Sequence, residues 1–132
     1  MSDALQVVQD FYDAFRRGDA RNALDAFHPD VEWDGRNIPD GKLGHGRQAV
    51  ADHAAHWASI WSDWTIEVEQ VTQVSSDTVI AYTRERGRSE NGVVMDERHA
   101  EVYVVRDGKI IRRVGFSDPA AALPAVQSWS AN

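Results

Sequence analysis

The 132-residue chain has no cysteine, which excludes disulfides, thiolate nucleophiles and cysteine-ligated metals. It has no basic run either, and its formal net charge is −7. Nothing in it neutralises phosphates, so neither nucleic acid nor an anionic membrane is expected as a partner. No apolar stretch is long enough to span a bilayer. The start, "MSDALQVVQDFY", lacks the basic opening and apolar core of a signal peptide, so the expected location is cytoplasmic. Internal repeats, low-complexity segments and linkers are absent as well.

What is present suits a globular protein, with 42% apolar and 27% charged residues. The length fits one domain, residues 1–132, with a real core. Five tryptophans are many for this length and call for burial or a ligand. "DALQVVQDFYDAFRRGD" sets Leu5, Val8, Phe11, Tyr12 and Phe15 at helical spacing, with Gly18 as a stop. Asp19 can cap a second helix, "ARNALDAFH", ended by Pro29. "DVEW" reads as a short strand. The loop from Asp34 to Gly46, rich in glycine, could act as a pliable lid. "RQAVADHAAHWASIW" is a third helix with Val50, His53, Ala54, Trp57 and Trp61 on one stripe. Long strands follow, "WTIEVEQVTQV" and "TVIAYTRERGR", then a hairpin turning at Asp107-Gly108. "DPAAALPAVQSW" closes with a helical turn interrupted by Pro124.

The hairpin, residues 97 to 118, poses a question. One face of its first strand is Ala100, Val102 and Val104; the other is Glu97, His99, Glu101 and Tyr103. Plain patterning buries the apolar set and leaves His99 and Glu101 in water.

The words "FYDAFRRGDARNALDAFHPDVEW", "GRQAVADHAAHW", "DTVIAYTRERGR" and "AEVYVVRDGKIIRRVGFSDPAAAL" resemble, in this order, the SnoaL-like branch of the nuclear transport factor 2-like (cystatin-like cone) superfamily. The resemblance covers nearly the whole chain. It implies an α+β fold: three N-terminal helices packed on a strongly curved, mixed, mostly antiparallel sheet, forming a cone with one internal pocket. It also implies that the polar set points inward, with Glu101 opposite Arg113, and that Tyr82 and Arg84 face the pocket from the preceding strand. The apolar set, Val79, Ala81, Ala100, Val102, Val104, Val114 and Phe116, would then form an outer sheet face that buries in a homodimer.

On this reading the catalytic candidates are His99, Glu101 and Arg113. Pairing with arginine would keep Glu101 ionised, whereas His99, whose ordinary pKa is about 6.5, would move protons. The ligand-binding candidates are Tyr12, Trp33, His53, Trp57, Trp61, Tyr82, Arg84 and Tyr103. Arg84 and Arg113 would hold an anionic group or a developing enolate. His53 and His56 diverge around their helix and lack a third ligand, so no metal is expected, and no cofactor.

The activities found on similar folds map poorly. An epoxide-hydrolase-like site would need an arginine and an aspartate two apart and a further aspartate on the last strand, where Tyr82, Arg84 and Gly115 stand. A SnoaL-like cyclase would need its aspartate near Gly115. A ketosteroid-isomerase-like site meets Phe11 and Trp33 in place of its tyrosine and base, and only Glu101 fits. Two functions follow. One is a cofactor-independent isomerase, cyclase or lyase acting by proton transfer on a carbonyl-bearing or aromatic compound. The other is a non-catalytic ligand-binding or dimeric assembly module whose buried ion pairs are structural.

Overall fold

A computed structural model of the chain describes residues 3–38 and 41–130. The helix α1 spans Asp3–Arg16 and buries Ala4, Val8 and Tyr12, one stripe at spacings of four. Gly18, at φ +76°, takes the left-handed conformation that stops it. The Asp19 carboxylate accepts from Asn22 N–H and caps α2, Ala20–Asp25.

That helix stops short of Pro29. Phe27 is fully buried and already belongs to strand β1, Phe27–Asn37. The cause is distant in sequence: β1 pairs in parallel with the last strand, Phe27 beside Ile110. Pro29 is tolerated because the pairing breaks register between Phe27 and Glu32. "DVEW" is thus the middle of a longer strand. The glycine-rich segment after it is a β-hairpin, in which β2, Leu43–His45, pairs back on Glu32–Asp34. Two residues of that segment, 39 and 40, lie outside the described ones.

Helix α3, Arg47–Ile60, follows, then β3 (Ser62–Gln73), β4 (Thr78–Arg88), β5 (Val94–Arg106) and β6 (Lys109–Phe116). The six-stranded sheet runs β2-β1-β6-β5-β4-β3. Only the β1–β6 pairing is parallel, so the sheet is mixed and mostly antiparallel. Breaks in register within β1–β6, β3–β4 and β5–β6 bend it strongly. It wraps around α1, α2 and α3 as an open cone. Among the described residues no helix is long and apolar enough to cross a membrane.

The sheet's two faces carry separate cores. The concave one joins Val8, Tyr12, Phe27, Trp33, Val79, Ala81 and Tyr103. The convex one joins Ile80, Ala100, Val102, Val114 and Phe116 to Ala122 and Val126. Val79 and Ala81 therefore belong to the inner face, against the expectation above. The outer patch is covered within the chain by α4, Ala122–Ser130, whose Trp129 also lies 4.3 Å from the Arg112 guanidinium. Pro124 does not interrupt α4, because it stands in the first turn, where its missing N–H would be unpaired anyway.

Candidate functional site

The hairpin decides what lines the cone. Asp107 (φ +52°) and Gly108 (φ +78°) form a two-residue turn of the kind that matches strand twist. Arg106 pairs with Lys109, and the register then slips between Val104 and Val105. The slip sets Tyr103 opposite Arg113 and Glu101 opposite Gly115, so the expected pairing of 101 with 113 is off by two residues. A shift of two keeps each residue on its face. His99, Glu101, Tyr103 and Arg113 do point into the cone, and plain patterning fails here.

Strand β4 is different. It pairs with β5 as Ala81 to Glu101, Thr83 to His99 and Glu85 to Glu97, and directly opposed residues share a face. The inward groups of β4 are therefore Thr83 and Glu85. Tyr82 packs against the convex core. Arg84 forms a two-pronged pair with Asp96 on the outer face, both bonds at 2.7 Å. Neither lines the cavity. Trp61 does not line it either: it lies across Gly87, where an added Cβ would come within 2.8 Å of it.

The cavity encloses about 250 Å³. Its helical side is apolar: Phe11, Tyr12 and Phe15 of α1, Leu24 of α2, and Ala54 and Trp57 of α3. Trp33, His53, Trp57 and Trp64 continue this as an aromatic wall, with ring centroids 4.9 Å apart for Trp33–His53 and 6.2 Å for Trp57–Trp64. The sheet side is polar: Thr83, Glu85, His99, Glu101, Tyr103 and Arg113.

Two charge systems sit on that side. In the first, Arg113 Nη2 meets Glu101 Oε2 at 2.5 Å, both side chains buried. They meet diagonally across β5 and β6, over Gly115. A Cβ at Gly115 would come within 2.8 Å of Arg113 Nη1 and 3.0 Å of Glu101 Oε2. Gly115→Ala is therefore expected to cost about 1–3 kcal/mol, the usual penalty of overpacking, measurable by urea unfolding. The guanidinium stacks 3.9 Å over Trp33. Tyr103 lies close enough to share its charge, yet Arg113 Nε and Nη1 and Thr83 Oγ1 are buried without a hydrogen-bond partner. Burial pushes the Glu101 carboxyl up to about 7, although Arg113 opposes the shift. The Tyr12 and Tyr103 hydroxyls, 2.7 Å apart, are pushed up by burial and stay neutral.

In the second system His99 lies between two carboxylates, Nδ1 2.6 Å from Glu85 Oε2 and Nε2 3.0 Å from Glu97 Oε2. Burial alone would lower its pKa, but Glu85 and then Glu97 outweigh burial and raise it to about 9. Both nitrogens then carry protons and donate. Burial likewise works against the charge on Glu85, but His99 and the Trp64 indole N–H, at 3.0 Å, hold its pKa low. His99 is thus a fixed cation near neutrality, and Glu101 is the group that titrates there. The shifts run opposite to the charge states expected from the sequence, in which Glu101 stays ionised and His99 titrates. An NMR titration should find the His99 ring resonances flat from about pH 6 to about pH 8, whereas an ordinary histidine would titrate across that range.

His53 is the opposite case. Burial first, then the Arg113 charge, lowers it to about 4, so it faces the cavity as a neutral imidazole. Thr83 and Glu85 are the polar lining residues that sequence reasoning missed. The signal that could have found Glu85 is the β4–β5 register, which the sequence does not print. Glu85, His99 and Glu101 bring one donor atom each within 4.8 Å of one another, but both His99 nitrogens already donate to carboxylates, so the trio is an ion-pair cluster rather than a ready set of metal ligands.

Comparison with known proteins agrees with this fold. The SnoaL-like domain family matches residues 8–113. The uncharacterized protein Rv0034 of Mycobacterium tuberculosis is 33% identical over 120 residues, 89% of this chain and 91% of that protein. An NTF2-like protein from Burkholderia thailandensis superposes with a TM-score of 0.79 at 23% identity, over 96% of this chain and 98% of that one. TerC, co-crystallized with polyporic acid, superposes with a TM-score of 0.77 at 21% identity, over 96% and 99%. The cone, its register and the matched segment lead to one assignment: the chain belongs to the SnoaL-like domain family, with the NTF2-like fold.

Proposed function

We propose that the cavity binds a small carbonyl-bearing or aromatic compound and moves a proton on it without a cofactor, with Glu101 as the acid/base group. The observation that carries this is the Glu101–Arg113 pair: a buried carboxyl titrating at about 7, beside a guanidinium with two unpartnered donors. A general base works best with a pKa near the working pH. The Glu101 carboxylate takes the proton from a carbon next to a carbonyl. The bonding electrons move onto the carbonyl oxygen, and Arg113 with the Tyr103 hydroxyl stabilises that oxyanion. Where a C=C is conjugated with the enolate, Glu101 returns the proton to the far end of that dienolate, which is an isomerisation. Otherwise the enolate carbon attacks a second carbonyl of the same molecule and Glu101 gives its proton to the alkoxide so formed, which is a cyclisation. His99 holds Glu85 ionised and supplies a fixed positive charge near Glu101. Polyporic acid in TerC is in keeping with a small organic ligand in this kind of cone.

The experiment is proton exchange. A fused-ring enolisable ketone such as 2-tetralone is incubated with the protein in deuterated water, and label at the carbons flanking the carbonyl is followed by NMR. Faster labelling than in buffer, abolished by Glu101→Gln, is the expected result. Binding without faster labelling favours the second reading, a non-catalytic ligand-binding module. The closed Glu85–His99–Glu97 chain, with every ring nitrogen satisfied, is the observation on that side.

A further inference from the structure

We propose that the cavity takes up organic monoanions, aromatic carboxylates foremost, and that Glu101 accepts a proton from solvent as they bind. This rests on reading the cavity as a ligand site and adds the ligand's charge and the linkage.

The argument begins with charge balance. The cavity wall holds two cations, Arg113 and His99, and two carboxylates, Glu85 and Glu101. Ligand-free and fully ionised, the set is neutral. An entering anion makes it negative in a space walled by aromatic rings, where an uncompensated charge is costly. One of the three negative groups must then be neutralised. Glu85 is not that group, because His99 and Trp64 both donate to it. Glu101 has a single charged partner, Arg113, and its Oε2 has no hydrogen bond of good geometry. Arg113 in turn has Nε and Nη1 free for a new acceptor. A ligand carboxylate can therefore take over Arg113 while Glu101 becomes a carboxylic acid. No bond breaks in the ligand, and the proton comes from the buffer.

Every neighbouring element is consistent with this exchange. The groups facing Glu101 are Glu85 on β4, His99 and Tyr103 on β5, Arg113 on β6 and Tyr12 on α1. The tyrosines stay neutral. Across the cavity on α3, His53 stays neutral above about 4. Glu101 starts from about 7, so it is the group that yields first. The same charge pattern, Glu101 protonated and oxygen negative beside Arg113, arises once an enolate has formed. A bound carboxylate is thus a stable imitation of that state, and Trp33 and Trp57 offer flat surfaces for its rings.

The test is calorimetry on the full chain with 2-naphthoate, at about pH 8 in phosphate and in Tris, whose different ionisation heats count protons. The expected result is uptake of about one proton per naphthoate at about pH 8 and almost none at about pH 5.5. Affinity should fall about tenfold for each pH unit above the Glu101 range. Glu101→Gln, which imitates the protonated acid, should bind naphthoate with no such uptake and no such pH dependence. Binding of naphthoate without uptake, or the same uptake in Glu101→Gln, overturns the proposal. If neutral 2-naphthamide binds and naphthoate does not, the proposal fails but the cavity remains a ligand site. If neither binds, both readings fail.

Discussion

Arg113→Met is expected to destabilise the protein by about 3 kcal/mol at about pH 8, and by roughly half that at about pH 5.5. The larger figure has two sources. One is the guanidinium stacked 3.9 Å over Trp33, which contributes up to about 2 kcal/mol when desolvated. The other is Glu101, whose folded pKa of about 7 already stands above its ordinary value of 4.5 because of burial. The sign follows from that direction. A carboxyl raised on folding stabilises the fold below its unfolded pKa, and that stability is lost as pH climbs through the folded value. In the wild type the loss is complete near 7. Without Arg113 the folded value moves higher, so the loss continues by about 1.4 kcal/mol per further pH unit. Urea unfolding at the two pH values measures both parts. Equal losses would mean that Arg113 contributes packing alone. The double variant Arg113→Met/Glu101→Gln should remove the pH-dependent part.

Glu101→Gln should lower the catalysed exchange rate by about 10²–10⁴, the usual contribution of a positioned acid/base group. The fold should survive the change. Glutamine has the charge and nearly the shape of the protonated acid, a form that Glu101 already adopts half the time near pH 7. By the same linkage the variant should be the more stable of the two above about pH 7, by up to about 3 kcal/mol, because it escapes the loss that Glu101 incurs between 4.5 and about 7. Activity of the wild type should rise with pH through about 7, as the base form fills. A profile that rises instead near 9, where His99 loses its proton, would return the role of base to His99.

The helices were legible because each announces itself locally. Leu5, Val8, Phe11, Tyr12 and Phe15 fall on one stripe, Gly18 stops the first helix and Asp19 caps the second. The inward set on β5 was legible only through the family resemblance, since its alternation by itself argues the reverse. Strand β4 was not legible. From Val79 to Tyr82 every residue is apolar, and from Thr83 to Arg86 every one is polar, so neither parity is favoured by burial. Its facing is fixed instead by register against β5, which places Thr83 opposite His99. The error there carried into the chemistry. With Arg84 taken as inward and Glu85 as outward, His99 had no strong partner and kept an ordinary pKa. One strand's parity thus decided which residue was read as the base.

The parallel pairing of β1 with β6 has a consequence for how the molecule forms. Glu32 and Arg112, joined at 2.7 Å, are 80 positions apart, and a contact of that span is slow to close. The β5–β6 hairpin, closed by its two-residue turn, can bring Arg113 to Glu101 on its own, whereas Trp33 reaches the guanidinium only when β1 docks. The late strand therefore supplies the aromatic lid of an ion pair that is already formed, and until it arrives that pair stays open to water.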